Sequence, residues 1–475
     1  MMDCSCNENN KTTFLSVSKG MCRECGKLVE VRYISQNDQV FLERYCDEHG
    51  SSRALVAESL SWYLKAMRSP VATCAPDKTI AKQAECPYSC GPCSFHAQRC
   101  NLPVFSITNA CNLRCPICFT YNRADRMYFM SPEEFDKHID FVVESTGGVD
   151  LVNITGGEPT LHPELFKLLQ RAKRPEIGRI TMNTNGLEIA KNPQIAKRLA
   201  EMGIYVVISI DTLDQERSRL LHGKDIVAEK KKALEHLEKH DVQTTVLMVL
   251  VGGVNEDEIG DILDLSLKKD FIRSLTIQTM AYTGQGGGGF NPRRHIPVDG
   301  VERRISHATS GRIPVDNFVP LPTAHPLCYG VCYLLMDTED NAISFTDLFD
   351  TETLVSHLSD GYLLKPSERL EDDLRATIDR LWSEGGNENK LAVLKTLLKK
   401  MYPAGKNYSV SERQRLAEKM IKTIYVHAHM DEDTYEIGRA IRCPDQVPVH
   451  AEQLVGACNY NLFYRMKDER FWKNK

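Results

Sequence analysis

The sequence has no run of roughly 18 or more apolar residues, which excludes a helix that spans a membrane. It has no excess of positive charge. The formal net charge is −5 and the pI is about 6.3, so no global basic field attracts nucleic acid. No stretch resembles an RNA- or DNA-binding module. The polar, cysteine-bearing segment Met1–Thr13 has no apolar signal core. These absences lead us to expect a cytoplasmic chain whose only membrane contact would be peripheral, at the inner face.

Cysteine, by contrast, is abundant. There are 17 in 475 residues, an odd number, grouped as C-x2-C and C-x3-C-x2-C. Without a signal peptide, that grouping points to metal sites in a reducing compartment rather than to disulfides. The length calls for a large catalytic core with appended modules.

The stretch that organises the chain is Ala110-Cys111-Asn112-Leu113-Arg114-Cys115-Pro116-Ile117-Cys118-Phe119. Thiolates at C-x3-C-x2-C can wrap three corners of an iron–sulfur cube. A cube has four irons, so three ligands leave one iron open, as a catalytic site needs. A zinc knuckle is the plainer alternative. Cys86, Cys90 and Cys93 repeat the spacing, and Cys100 follows seven residues later. Four thiolates can close a cluster that serves as an electron relay, so these are assigned to an auxiliary cluster, with zinc as the alternative. At the N-terminus, Cys22-x2-Cys25 and Cys46-x2-His49 flank a hairpin expected over Leu28–Tyr33 and Gln39–Tyr45. Zinc with three cysteines and one histidine fits there. So does a mononuclear iron with a further cysteine from Cys4, Cys6 or Cys74. An exposed helix is expected over Ser61–Met67.

From residue 103 to about 290 strands alternate with helices, at 103–108, 150–154, 179–183, 204–210, 243–250 and 274–280. Helix starts are marked by Ser131-Pro132-Glu133-Glu134, by Asn192-Pro193 and by Asn255-Glu256-Asp257-Glu258. Lys224–His240 reads as a solvated helix face. Six βα units with short loops predict a parallel sheet with right-handed crossovers, with chemistry at the C-terminal strand ends. Several motifs fall at those ends. Thr155-Gly156-Gly157-Glu158-Pro159 follows one strand, and Glu158 can pair with an ammonium. Asn183 and Asn185, then Ser209 and Asp211, end the next two; turn capping is the alternative for each. Leu250–Asn255 ends the fifth strand. Gly284–Gly289 ends the sixth and reads as a strand-exit loop, not a P-loop, since no Lys-Ser/Thr follows.

Proline-rich punctuation at 314–326 marks a boundary. Beyond it, Cys328, Cys332, Cys443 and Cys458 come from three distant segments, beside Pro and Gly turns. They are read as a third cluster, against free buried cysteines as the alternative. Amphipathic helices are expected over Leu370–Trp382, Asn387–Leu398 and Ser411–Tyr425, covering the open side of the barrel. The expected modules are 1–75, a zinc- or rubredoxin-like module; 76–102, an auxiliary segment; 103–290, the barrel; and 291–475, a cysteine-bearing extension.

The Cys111 motif with its trailing Phe119, and the Gly-Gly-Glu-Pro turn downstream, resemble the radical S-adenosylmethionine (radical SAM) superfamily. That resemblance implies an α/β fold, a partial (β/α)6 TIM-like barrel. It implies a [4Fe-4S] cluster on Cys111, Cys115 and Cys118 whose open iron chelates the amino and carboxylate groups of S-adenosyl-L-methionine. It implies that Gly156, Gly157, Glu158 and Pro159 hold the methionine end. Asn183, Asn185, Ser209 and Asp211 would face the ribose, the carboxylate or the substrate. Reduced ferredoxin or flavodoxin is the implied electron donor.

The whole arrangement, from CxxC…CxxHG to Cys458-Asn459-Tyr460-Asn461, is similar to the subgroup of archaeal tetraether lipid synthases and dihydro-hydroxymethylpterin methyltransferase-like proteins. It departs where the subgroup doubles a cysteine, because Pro444 stands there. The resemblance implies hydrogen abstraction from an unactivated carbon by a 5′-deoxyadenosyl radical. C–C bond formation on a lipid alkyl chain is the first expectation. Methylation of a pterin or another small molecule is the alternative. A non-catalytic iron–sulfur protein is disfavoured by the intact Gly-Gly-Glu-Pro.

Overall fold

The structure, a computed structural model, describes residues 12–471 except 73–74, 77–84, 92, 121–126, 287–289, 291–292, 338–341, 360, 404 and 451–452. Cys4, Cys6 and Cys74, and most of the glycine run, lie outside the described residues.

The N-terminal module is a four-stranded antiparallel sheet, β1 (Thr13–Met21), β2 (Leu28–Gln36), β3 (Gln39–Cys46) and β4 (Gly50–Ala57). It is twice the expected hairpin. Alternation in β2 and β3 buries Val31, Tyr33, Val40 and Leu42 on one face, β4 extends that face with Val56 and Ala57, and Tyr63 and Leu327 pack on it. The following helix, Leu60–Met67, is not free: Tyr63 and Ala66 are buried, and Trp62 Nε1 donates to Glu302 at 2.8 Å.

The barrel strands are β5 (Leu102–Thr108), β6 (Val152–Gly156), β7 (Ile180–Thr184), β8 (Tyr205–Ser209), β9 (Thr244–Leu250) and β10 (Ile272–Thr279), each parallel to its neighbour. Six βα units are therefore present, at the expected places. Two caps form as read. Ser131 accepts from Glu134 N, with Gly147 closing that helix, and Asn192 accepts from Gln194 N. The third does not. Asn255 makes no cap bond; its Oδ1 accepts from Val251 N (2.8 Å), and its Nδ2 donates to the carbonyls of Asp211 and Val249. It stitches the β9 exit to the β8 exit.

The C-terminal region enlarges this sheet to twelve strands. Between the later strands lie β11 (Val319–Pro320), β12 (Tyr329–Met336) and β13 (Ala342–Ser344); β14 is Ile421–His427, β15 Asp445–His450 and β16 Gln453–Gly456. Strand β14 pairs parallel with β10, and β15 pairs parallel with β5 at the opposite edge. Eight parallel strands thus surround the interior. The helix expected to reach Tyr425 stops at Ala417, because Ile421–His427 alternates with period two and completes both the β10 and β12 ladders. The helices Glu368–Glu384, Glu388–Met401 and Val410–Ala417 form a second core with β11 and one face of β12.

Along the barrel strands the outward residues are apolar and the inward ones largely polar. In Val152-Asn-Ile-Thr155, Ile180-Thr-Met-Asn183 and Leu275-Thr-Ile-Gln278, the first and third residues join the apolar core under the helices, while the second and fourth face inward. That pattern leaves an open interior lined by both polar and apolar side chains.

Candidate active site

The interior is a cavity of about 420 Å3, within the roughly 300–1,000 Å3 common for small-molecule sites. Cys111, Cys115 and Cys118 all line it, and none is in a disulfide. Leu113 N lies 3.4 Å from Cys111 Sγ, and Cys118 Sγ lies 3.2 Å from Thr120 Oγ1. Burial pushes the Cys111 thiol up to about 11 and Cys115 higher still. As bare thiols these two stay protonated at neutral pH; a bound cation is what would hold them as thiolates.

The glycine pair positions this loop. An added Cβ at Gly156 would lie 2.1 Å from Thr108 O, and one at Gly157 2.2 Å from Ala110 O. Only glycine lets the β6 exit run against the loop, where Gly157 N donates to Thr108 O and Glu158 N to Ala110 O, each 2.7 Å. The Glu158 carboxylate is buried. Oε1 accepts from Thr184 Oγ1 (2.8 Å) and Thr160 N (3.1 Å), and Oε2 from Asn185 N (2.7 Å). Burial raises its pKa against these donors. Asn185 Nδ2 reaches Asn112 Oδ1 at 2.7 Å, so the β7 exit also anchors the cysteine loop. Asn183 lines the cavity, and its buried Oδ1 has no hydrogen-bond partner among the described residues.

Ser209 lines the cavity too, and its partner is Lys230. The Lys230 side chain is buried, and Nζ donates to Ser209 O (2.6 Å) and Oγ (2.7 Å). Burial lowers its pKa, while the charges of Asp211, Cys115 and Glu158 oppose this. Sequence reasoning missed Lys230 by taking the whole helix as solvated. The signal was its place three and seven residues before the apolar Ala233 and Leu237. Pro159 opens a turn behind the site and, like Asp211, does not line the cavity. Asp211 Oδ2 lies 2.8 Å from His222 Nε2, and Oδ1 accepts from Val249 N. Burial would raise its pKa, but His222 and Lys230 hold it low.

One end of the cavity wall is aromatic. Phe119 stacks on His429 (5.1 Å between centroids), and His427 stacks on Tyr329 (3.9 Å). Tyr329 and Tyr362 both donate to the carboxylate of Asp445, the former at 2.5 Å to Oδ2. This bond set bridges β12 and β15 across the opening between the sheet's two edges. None of these residues but Phe119 was singled out from the sequence, because they meet only through long-range pairing.

The other cysteines fall into three groups. Cys22, Cys25, Cys46 and His49 place their ligand atoms within 4.8 Å of one another. Cys86, Cys90 and Cys93 line a small cavity with Asn459, whose Nδ2 is 3.0 Å from Cys90 Sγ. Cys100 is not in that lining; it sits in the apolar barrel core. Cys328, Cys443 and Cys458 are thiols near Arg439, whose Nε stands 3.4 Å from Cys328 Sγ, and burial pushes all three thiols up. Cys332 lies within β12, on the face that packs into the apolar core beside Ser344, whereas Cys328 precedes the strand. Alternation in a strand sends Cys332 to the same face as Leu334 and away from Val331.

Residues 105–266 match the radical SAM superfamily, and residues 14–58 match the HMPTM N-terminal zinc ribbon domain. The chain therefore carries a radical SAM domain. It is a radical SAM enzyme, and its family uses S-adenosylmethionine with a [4Fe-4S] cluster. Over 95% of its length it is 23% identical to the 7,8-dihydro-6-hydroxymethylpterin dimethyltransferase of Methanocaldococcus jannaschii, covering 94% of that protein. Over 36% of its length it is 32% identical to a probable GTP 3′,8-cyclase of Pyrococcus abyssi, spanning 54% of that relative. Streptococcus suis SuiB, solved with bound S-adenosylmethionine, aligns at 20% identity and TM-score 0.37, over 45% of this chain and 48% of that one. Among the described residues no helix is long and apolar enough to cross a membrane.

The donor set at the cysteine loop fits the implied cofactor. Three thiols outside any disulfide line one cavity, a backbone N–H is directed at one sulfur, and a buried cation stands beside them.

Proposed function

We propose that this radical SAM enzyme modifies a small planar heterocycle of the pterin kind, most directly by methylation. The reading rests on the polar side chains that line the barrel interior around the cysteine loop, Asn153, Thr155, Thr181, Ser209 and Gln278, set among apolar neighbours. Polar groups on a cavity wall call for hydrogen-bonding partners, and a polar ligand supplies them. The likeness to the dihydropterin dimethyltransferase over nearly the whole chain supports the same substrate class. The lipid-coupling reading has less to rest on, since alkyl chains satisfy none of these groups.

In this reading Cys111, Cys115 and Cys118 hold the radical cluster. When bound, the cluster and S-adenosylmethionine supply a strongly hydrogen-abstracting adenosyl radical. The chain's own residues fix geometry. Gly156 and Gly157 seat the cysteine loop, Glu158 ties the β6 and β7 exits, and Asn183 and Ser209 present polar atoms to the ligand. The barrel walls limit water near the reacting carbon. Cys86, Cys90 and Cys93, and separately Cys328, Cys443 and Cys458, hold auxiliary clusters, and the ribbon holds zinc.

The test is an anaerobic incubation of reconstituted enzyme with S-adenosylmethionine, a reductant and 7,8-dihydro-6-hydroxymethylpterin, followed by mass spectrometry. Gain of one or two CH2 units on the pterin, each methyl taken from a further S-adenosylmethionine that leaves as S-adenosylhomocysteine, with 5′-deoxyadenosine and not in Cys115→Ala, is the expected result. Coupled lipid cores from expressing cells with an unchanged pterin pool would overturn it.

A further inference from the structure

We propose that Asp445, oriented by Tyr329 and Tyr362, grips the hydrogen-bond-donor edge of a flat heterocyclic substrate at the aromatic end of the cavity. The inference deepens the proposed function and rests on it.

Asp445 is buried, yet its side chain lines the same cavity as Cys111 and Cys118. A carboxylate presents about four acceptor positions. Tyr329 OH takes one on Oδ2 and Tyr362 OH one on Oδ1. The His427 ring nitrogen stands at 3.6 Å from Oδ2, beyond a good hydrogen bond. Each oxygen therefore keeps acceptor capacity for a further donor. That is the complement of a ring N–H beside an exocyclic amino group.

The surroundings suit such an edge. His427 and Tyr329 are stacked at 3.9 Å with ring planes 15° apart, so the wall beside the carboxylate is flat. The two phenols fix the plane of the carboxylate in advance, which lowers the ordering cost of binding. No arginine or lysine is hydrogen-bonded to Asp445 among the described residues, so the negative end has no dedicated countercharge. The substrate names of two relatives, a pterin and GTP, share the required edge: a ring N–H flanked by a 2-amino group.

The experiment measures anaerobic binding of 7,8-dihydro-6-hydroxymethylpterin and of its 2-deamino analogue to the reconstituted full chain. GTP against inosine triphosphate makes the same comparison for a guanine. The wild-type protein should prefer the amino-bearing member of one pair by about 10- to 100-fold, the worth of a hydrogen bond to a charged group. In Asp445→Asn that preference should fall to near one, and in Tyr362→Phe to an intermediate value, with iron content unchanged in both.

The wild-type measurement needs no variant, so poor folding of Asp445→Asn cannot hide the answer. A wild-type ratio near one overturns the assignment. So does an Asp445→Asn protein that weakens both members equally, which would make Asp445 only a bridge between the sheet edges. If wild type binds neither pair, the heterocycle reading itself fails and the assignment with it.

Discussion

Replacing Gly157 with alanine should cost the radical cluster more than it costs the fold. The new Cβ would lie 2.2 Å from Ala110 O, 2.7 Å from Ala110 C and 2.8 Å from Asn109 O. These are backbone atoms, so no side chain can swing away. Relief to an ordinary contact of about 3.2–3.5 Å requires the loop and the β6 exit to separate by about 1 Å. Metal ligands tolerate about 0.2 Å. The two 2.7 Å backbone bonds, Gly157 N to Thr108 O and Glu158 N to Ala110 O, would be strained or lost, at about 1 kcal/mol each. Overpacking adds about 1–3 kcal/mol. The sum, about 3–5 kcal/mol, falls on a loop whose next residue after Ala110 is Cys111. The assay is iron per chain after anaerobic reconstitution, with 5′-deoxyadenosine formation as the second readout. The control is Gly260→Ala, inside a helix, where the nearest atom to the new Cβ would be Ala308 Cβ at 3.5 Å, an ordinary contact. It should be neutral or stabilising by up to about 1 kcal/mol. A Gly157→Ala protein with wild-type iron and wild-type deoxyadenosine yield would refute the reasoning.

Lys230→Met removes a buried cation beside the cysteine loop and leaves Ser209 without its donor. The radical cluster's reduction potential should become more negative, on the order of tens of millivolts, as read by redox titration. Cys443→Ser or Cys458→Ser should lower bound iron, whereas Cys332→Ser should leave iron unchanged and only cost stability, by about 1–3 kcal/mol; equal iron loss from all three would restore Cys332 to that cluster. The His295–Asp431 pair, at 2.9 Å, ties the β10 exit to the 431–434 loop. Burial opposes the charge on His295, but Asp431 raises its pKa; burial likewise opposes the charge on Asp431, but His295 holds its pKa low. The pair's contribution is therefore present between the unfolded carboxylate and imidazole pKa values, roughly pH 4 to 6.5. It is lost as pH rises through the raised His295 value or falls through the lowered Asp431 value. His295→Gln should lower the urea midpoint at about pH 6 and less so at about pH 9; equal effects at both would refute the pairing.

The sequence alone determined what is local in this protein. Ligand spacing, helix caps at Ser131 and Asn192, and period-two strands are set within ten or so residues, so the cysteine loop, the six βα units and the ribbon quartet were all legible. The polar inward face was also written in Asn153, Thr155, Thr181 and Asn183, as an alternation that the strand assignment passed over. Tertiary structure decided the rest. Strand β14 follows closely on a helix, and its period-two alternation becomes decisive only with the open ladder beside β10. Cys332 and Cys100 share spacing with true neighbours, but both are taken up by the apolar core. Lys230 is charged and sits on a charged helix, yet packing turns it inward. Asp445, Tyr329, Tyr362 and His427 lie far apart in the chain. Their meeting depends on β14 and β15 joining opposite edges of one sheet, and no short-range pattern encodes a pairing between strands that only a completed barrel brings together.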